Sequence, residues 1–267
     1  MTPWKDRPIL ILDTETTGID PETARIWEIA TLQARLGSRP SDAGTIVNPG
    51  VEIPAEVIKL CGLTPMDLAE VVAARPFADI APALQCGFEQ QVVAGYNLLA
   101  YDWPLLTAEF ARCGQVPPRP QALLDALVMI RRLRSLRFRA LGDAFRALCP
   151  DADMGTAHRA AGDCRMTWGV LQALMPELPD DLDELVELQA QWKAERDADF
   201  ARYGYWLSTD PQSGELVLAC GKHCGQRLGQ VDPGYLAWAL VKSPTWDAPL
   251  PAATAEAFRS EIRRRSS

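Results

Sequence analysis

Residues 9–18 read ILILDTETTG. Four consecutive apolar residues run straight into two carboxylates one residue apart, Asp13 and Glu15, followed by Thr16, Thr17 and Gly18. A short apolar run bounded by turn residues, here from Pro8, is the pattern of a central strand covered on both faces. Side chains alternate along a strand, so Asp13 and Glu15 project to the same side near its C-terminal end. Acids are costly at the mouth of a buried strand. The pair is therefore either a solvated strand end or the first half of a site.

The sequence around this stretch supplies the rest of a sheet. Residues 26–36 and 43–49 read as two further strands, separated by a turn rich in Ser, Pro and Asp. Helical patterns follow at 65–72 and 77–88, then a strand at 91–95 and helices at 102–113, 122–134, 138–148 and 159–175. In the last of these, Cys164, Trp168, Leu171 and Met175 form the stripe of a packed helix. Early strands followed by a strand among helices imply an α/β fold, a mixed sheet flanked by helices.

Two prolines and an acidic cluster in MPELPDDLDEL, 175–185, break the pattern. The expected organisation is a first domain over 1–178, an acidic helical connector over 179–202, and a small α+β module over 203–267. The module holds strand-like pieces (YGYWLS, ELVLAC), a glycine-rich turn and a helix at 233–242.

Composition sets limits on class. The 267 residues are 48% hydrophobic and 23% charged, an ordinary globular balance. No apolar run approaches the ~18 residues a membrane helix needs, and the N-terminus lacks the pattern of a signal peptide. Seven cysteines without framework spacing suggest reduced thiols and a cytoplasmic protein. The net charge of −8 is unevenly spread. Residues 180–200 hold eight acids and two bases, residues 201–267 hold eight bases and six acids, and 1–179 is left at −4. So uneven a distribution leaves a polyanionic partner open.

Two further stretches join the first. VVAGYNLLAYDWPLL ends a strand at Asn97 and puts Asp102 at the start of the next helix. AHRAAGDC places His158, one of only two histidines, five residues before Asp163 at the head of a helix. Together Asp13-x-Glu15-x-Thr17-Gly18, Asn97 with Asp102, and His158-x4-Asp163 resemble, in order and separation, the three motifs of the DEDDh (DnaQ-like) 3′→5′ exonucleases. KLCGLTPMDL, 59–68, also resembles that family's His-Gly-Ile-Thr segment, with Cys61 in the histidine's place. The resemblance covers about residues 7–175 and implies an RNase H-like sheet. Tyr96 before Asn97, where the family commonly has His, and Tyr101, where it has Phe, are departures that touch no metal ligand.

Four carboxylates in one cleft repel and raise one another's pKa unless cations sit between them. Oxygen-only ligands suit Mg²⁺ or Mn²⁺, and two such ions ~4 Å apart can clamp the attacking and leaving oxygens of a phosphodiester. The resemblance implies that Asp13, Glu15 and Asp163 hold one ion, that Asp13 bridges to a second, and that Asp102 acts on that second ion largely through water. His158, with an unperturbed pKa near ~6.5, is suited to accept the proton of the attacking water. Thr14, Thr16 and Thr17 are ordinary strand and turn residues. The resemblance makes Thr14, Thr17, Gly18, Asn97 and Tyr101 contacts to the terminal nucleotide.

Five arginines between Arg131 and Arg139 are either a solvated helix end or a track for phosphates. Cys220, His223 and Cys224 crowd together without a fourth ligand downstream, so zinc is not expected. Their stretch resembles the C-terminal module of exodeoxyribonuclease X-type proteins, with Gly221, Lys222, Gly225, Tyr235, Leu236 and Trp238 matching and Cys220 in place of Phe. Lys222 and Arg227 are the expected nucleic-acid contacts, and Trp238 a core residue rather than a stacking surface. The leading expectation is a 3′→5′ exonuclease acting on nucleic acid with a free 3′ end, DNA favoured. An exoribonuclease, a proofreading subunit whose tail docks on a polymerase or repair partner, and a silent nucleic-acid binder are the alternatives.

Overall fold

The computed structural model describes residues 3–134, 140–152, 159–242 and 250–266. The chain divides into two compact units, Met1–Met129 with Arg139–Gln189, and Ile130–Phe138 with Ala190–Ser267. This division falls inside two helices, Ala126–Leu133 and Leu182–Tyr203, and assigns Arg131, Arg132 and Arg134 to the second unit, while the rest of the arginine-rich stretch, 135–139, lies outside the described residues.

The first unit is built on a five-stranded sheet of order β3-β2-β1-β4-β5. β1 (Ile9–Thr16), β2 (Ile26–Ala34) and β3 (Ser41–Ile46) are antiparallel; β4 (Val92–Gly95) and β5 (Ala122–Asp125) continue it in parallel from β1. The expected mixed α/β sheet is what the chain forms. Ile9, Ile11 and Leu12 are buried, which accounts for the unbroken apolar run. α3 (Phe77–Phe88) and α4 (Asp102–Arg112) contribute Phe77, Ile80, Leu105 and Phe110 to one core cluster with Leu12, Ile29 and Val93. α7 (Ala160–Leu174) packs on β1 and β2, and its predicted stripe of Cys164, Trp168, Leu171 and Met175 is buried throughout. α2 (Pro65–Ala73) opens with a capping box in which Thr64 and Asp67 exchange hydrogen bonds.

Two elements of the first unit differ from the sequence reading. α1 (Ala55–Cys61) was not expected, because it buries no residue and so leaves no apolar stripe to read. Its punctuation is legible in retrospect: Pro54 precedes it and Gly62, at φ 64°, ends it. Residues 122–125, expected to open a helix, instead pair with β4 from Val92↔Ala122 to Gly95↔Asp125, and α5 (Ala126–Leu133) begins one residue later. Four residues carry too little periodicity to separate strand from helix, and pairing with β4 decides it.

α6 (Leu141–Leu148) lies within the expected 138–148 helix, whose first two residues fall outside the described set. α8 (Leu182–Tyr203) is the expected acidic helix. In the second unit β6 (Leu207–Thr209) and β7 (Leu216–Leu218) form a two-stranded sheet, followed by α9 (Pro233–Lys242) and an unexpected α10 (Ala252–Ser266). Leu207, Leu218, Val231, Leu236, Ala239 and Phe258 make its core. No helix among the described residues is long and apolar enough to cross a membrane.

Candidate active site

The end of β1 is a bent strand. Register with β2 shifts between Glu15 and Thr16, and just before this bulge Asp13 lies opposite Ala30 and Glu15 opposite Glu28. Asp163 enters from the first turn of α7. Asp13, Glu15 and Asp163 each offer a carboxylate oxygen such that these atoms all lie within 4.8 Å of one another.

Asp102, at the head of α4, is buried beside this cluster. One oxygen, Oδ1, accepts from both the backbone N–H (3.1 Å) and the hydroxyl (2.6 Å) of Thr14. Thr14, expected at the substrate, is buried, and its hydroxyl donates to Asp102.

The electrostatics of the four acids agree with their geometry. Burial, then the charges of Asp102, Asp163 and Glu15, push Asp13 well above the usual carboxylate range. Burial and Asp163 raise Glu15 to about 7, and burial raises Asp102 to about 7 against the lowering effect of the Thr14 hydrogen bonds. Groups this close and this reluctant to ionise together fit a divalent cation, which needs oxygen donors and supplies the missing positive charge. His158, the expected proton acceptor, lies outside the described residues.

Several supports were not read from the sequence. Glu28 is buried on β2 directly across from Glu15, and Arg159 Nε donates to it at 2.9 Å, fastening the start of α7 to the sheet. Its signal was a glutamate inside the apolar IWEIATL. Asp125, buried at the end of β5, accepts from the N–H groups of Asn97 (3.0 Å), Leu99 (3.0 Å) and Leu127 (2.9 Å). It thereby fixes the loop that leads to Asp102, in which Asn97 sits at φ 68°. Gly95 starts this loop. A Cβ there would stand 3.0 Å from both the Leu12 carbonyl oxygen and the Leu98 Cβ, so β4 approaches β1 only because no side chain intervenes. Cys61 donates from Sγ to Glu15 Oε2 at 3.5 Å. Burial and the neighbouring Glu15 raise its thiol to about 12, so it remains a neutral donor.

The other expected contacts hold the loop after β1. Thr17 Oγ1 accepts from Arg25 N at 2.9 Å. The Tyr101 hydroxyl donates to the Gly18 carbonyl and lies 2.5 Å from Thr16 Oγ1. Gly18 has no positive φ and its Cβ would meet only Ala24 Cβ at 3.8 Å, so local backbone does not demand a glycine there. In the second unit Lys222 is exposed, whereas Arg227 pairs with Glu215 at 2.9 Å. Trp238, expected in the core, is 47% exposed: it projects from α9 while Leu236 and Ala239 turn inward.

Comparison with known proteins finds exonucleases among those similar to this chain. Protein NEN2 of Arabidopsis thaliana is 31% identical over 43% of this chain and 25% of its own length. Exonuclease DPD1, chloroplastic/mitochondrial, from the same plant is 30% identical over 67% of this chain and 59% of its own. Three prime repair exonuclease 2 of Homo sapiens is 29% identical over 58% of this chain and 78% of its own. The chain thus spans between 25% and 59% of the length of the first two of these. Among solved structures, Exonuclease X in complex with 5′ overhanging duplex DNA aligns at 22% identity with a TM-score of 0.49, over 68% of this chain and 99% of that one. Residues 10–171 match the exonuclease family (RNase_T), a span that contains all four carboxylates, and the chain therefore belongs to that family.

Proposed function

We propose that this chain is a metal-dependent 3′→5′ exonuclease that hydrolyses phosphodiester bonds from the 3′ end of DNA. The observation that carries the reading is the convergence of Asp13, Glu15 and Asp163 within 4.8 Å, with Asp102 beside them, inside a domain of the exonuclease family. That family uses divalent metals; for this chain we propose two Mg²⁺ or Mn²⁺ ions. Bound ions supply Lewis-acid activation of water and stabilise charge on the leaving oxygen.

The protein's own groups do the rest. Asp13, Glu15 and Asp163 would hold one ion, and Asp13 with Asp102 the second. Thr14 keeps Asp102 turned toward the cleft. His158 accepts the proton from the attacking water. The loop of Thr17 and Gly18, braced by Tyr101, receives the terminal nucleotide together with Asn97. The preference for DNA draws on the relatives' names, among them a DNA polymerase III PolC-type protein of Thermotoga maritima, 26% identical over 61% of this chain and 11% of its own length. That match is also the ground for proposing a polymerase or repair assembly as partner.

The test is hydrolysis of end-labelled single-stranded DNA, duplex DNA and RNA with Mg²⁺, with Mn²⁺, and in excess EDTA. Stepwise loss of 3′ nucleotides from DNA, abolished by EDTA, is expected. Full activity in EDTA, or shortening from the 5′ end, overturns the reading.

A further inference from the structure

We infer that the second unit carries a stacking platform for unpaired nucleobases, made of His223, Tyr235 and Trp238 with Lys222 at its edge. The three rings are contiguous. His223 meets Tyr235 edge to face at 4.5 Å between centroids, and Tyr235 lies 5.4 Å from Trp238 at a 34° tilt. The unit's core closes without Trp238, since Leu236 and Ala239 on the same helix are fully buried while Trp238 remains 47% exposed. An indole left half in water on an ordered helix is apolar surface without a use inside the unit.

The platform is also pre-organised. Tyr235 is fixed at the start of α9, where its N–H donates to Asp232 Oδ2 at 3.0 Å. Its hydroxyl occupies the space beside Gly221, where a Cβ would stand 2.6 Å away. Gly221 (φ 73°) and Gly225 (φ 82°) shape the tight turn that presents Lys222 and His223. His223 is held by Gln226, with Nδ1 2.8 Å from Oε1. Rings held in place before binding lose little freedom when a base lands on them.

Charge selects the occupant. Residues 130–138 and 190–267 carry fourteen Lys and Arg against nine Asp and Glu, a net of +5. Residues 1–129 and 139–189 carry thirteen against twenty-six, a net of −13. A polyanion is therefore attracted to the second unit and repelled by most of the first. In a duplex the base faces are already stacked on one another, so an exposed aromatic row fits a single strand. The inference stands apart from the hydrolytic reading, because stacking requires no metal.

The test uses the full chain in EDTA with a fluorescent oligo(dT) of about 20 nucleotides and a duplex of equal length, each by anisotropy. Trp238→Ala should weaken oligo(dT) binding by about 5- to 100-fold, the loss of one or two stacked bases, and duplex binding by less than about twofold. Trp238→Phe should restore most of the affinity. His223→Ala, on an exposed turn outside the core, should weaken binding in the same direction. Lys222→Ala should lower the slope of log affinity against log salt by about one, while Trp238→Ala leaves it unchanged. Oligo(dT) affinity unchanged in both Trp238→Ala and His223→Ala overturns the platform and leaves this face to protein docking. Equal losses for single strand and duplex overturn the stacking mechanism. Failure of hydrolysis in the metal-containing assay leaves these binding results intact and strikes only the exonuclease reading.

Discussion

Thr14 shows how one hydroxyl can serve a carboxylate it does not resemble in function. Two donors from a single residue converge on Asp102 Oδ1, and both lower a pKa that burial has raised to about 7. Thr14→Val keeps the shape and removes one donor, leaving a buried charge less well satisfied. It should cut kcat by about tenfold or more with little change in KM, and cost about 1–3 kcal/mol of metal-free stability, while Thr14→Ser recovers most of both. Equal kinetics for Thr14→Val and wild type would show that the backbone N–H alone aims Asp102. Glu15 and Asp102 also make a pH prediction for the metal-free protein. Both folded-state pKa values, about 7, lie above their ordinary values of 4.5 and 3.8. The folded state thus binds more protons than the unfolded one between about pH 4 and 7, and stability is lost as pH rises through that window. Urea unfolding in EDTA should give a higher midpoint at about pH 5 than at about pH 8, and Asp13→Asn should raise the midpoint at the higher pH. A flat profile would mean that burial and neighbouring charge do not raise Glu15 and Asp102 in the folded state.

At the scale of elements, the site is assembled where strands end and helices begin. β1 brings Asp13 and Glu15, α4 brings Asp102 and α7 brings Asp163, so each carboxylate depends on how its element is moored. Asp125 is the mooring for α4's approach loop, and it accepts three backbone N–H groups from two different segments. Asp125→Ala should destabilise the chain by about 3 kcal/mol, the cost of stranding buried donors. Asp125→Asn is more informative. It can still accept from Asn97 and Leu127 through its carbonyl, but its NH₂ group faces the Leu99 N–H. Its unfolding midpoint should fall only modestly while kcat falls about tenfold as Asp102 loses its placement. Stability and kcat falling in proportion, with residual activity per folded molecule unchanged, would reduce Asp125 to a structural residue.

Across the whole molecule, acid is concentrated in the first unit, at a net of −13, and base in the second, at +5. Binding of a divalent ion should stabilise the chain through the carboxylate cluster alone. At about 100 times its dissociation constant, Mn²⁺ should add about 2.7 kcal/mol per site, read as a rise in Tm at about pH 8. Asp163→Asn should remove most of that rise, and Lys222→Ala none of it. A Tm unmoved by Mn²⁺ in the wild-type chain would count against the metal site before any assay of hydrolysis.

What the sequence determined by itself is local. The apolar run of β1, the stripe of α7, the acidic helix and the three carboxylate-bearing motifs are all set by periodicity and by residues adjacent in the chain. Tertiary structure decided what depends on partners distant in sequence. β5 became a strand because β4 offered a pairing edge, and Glu28 and Asp125 joined the site because Arg159 and the Asn97 loop met them across the fold. Trp238 was turned to solvent because Leu236 and Ala239 already filled the core, a competition for space that no single stretch of sequence records.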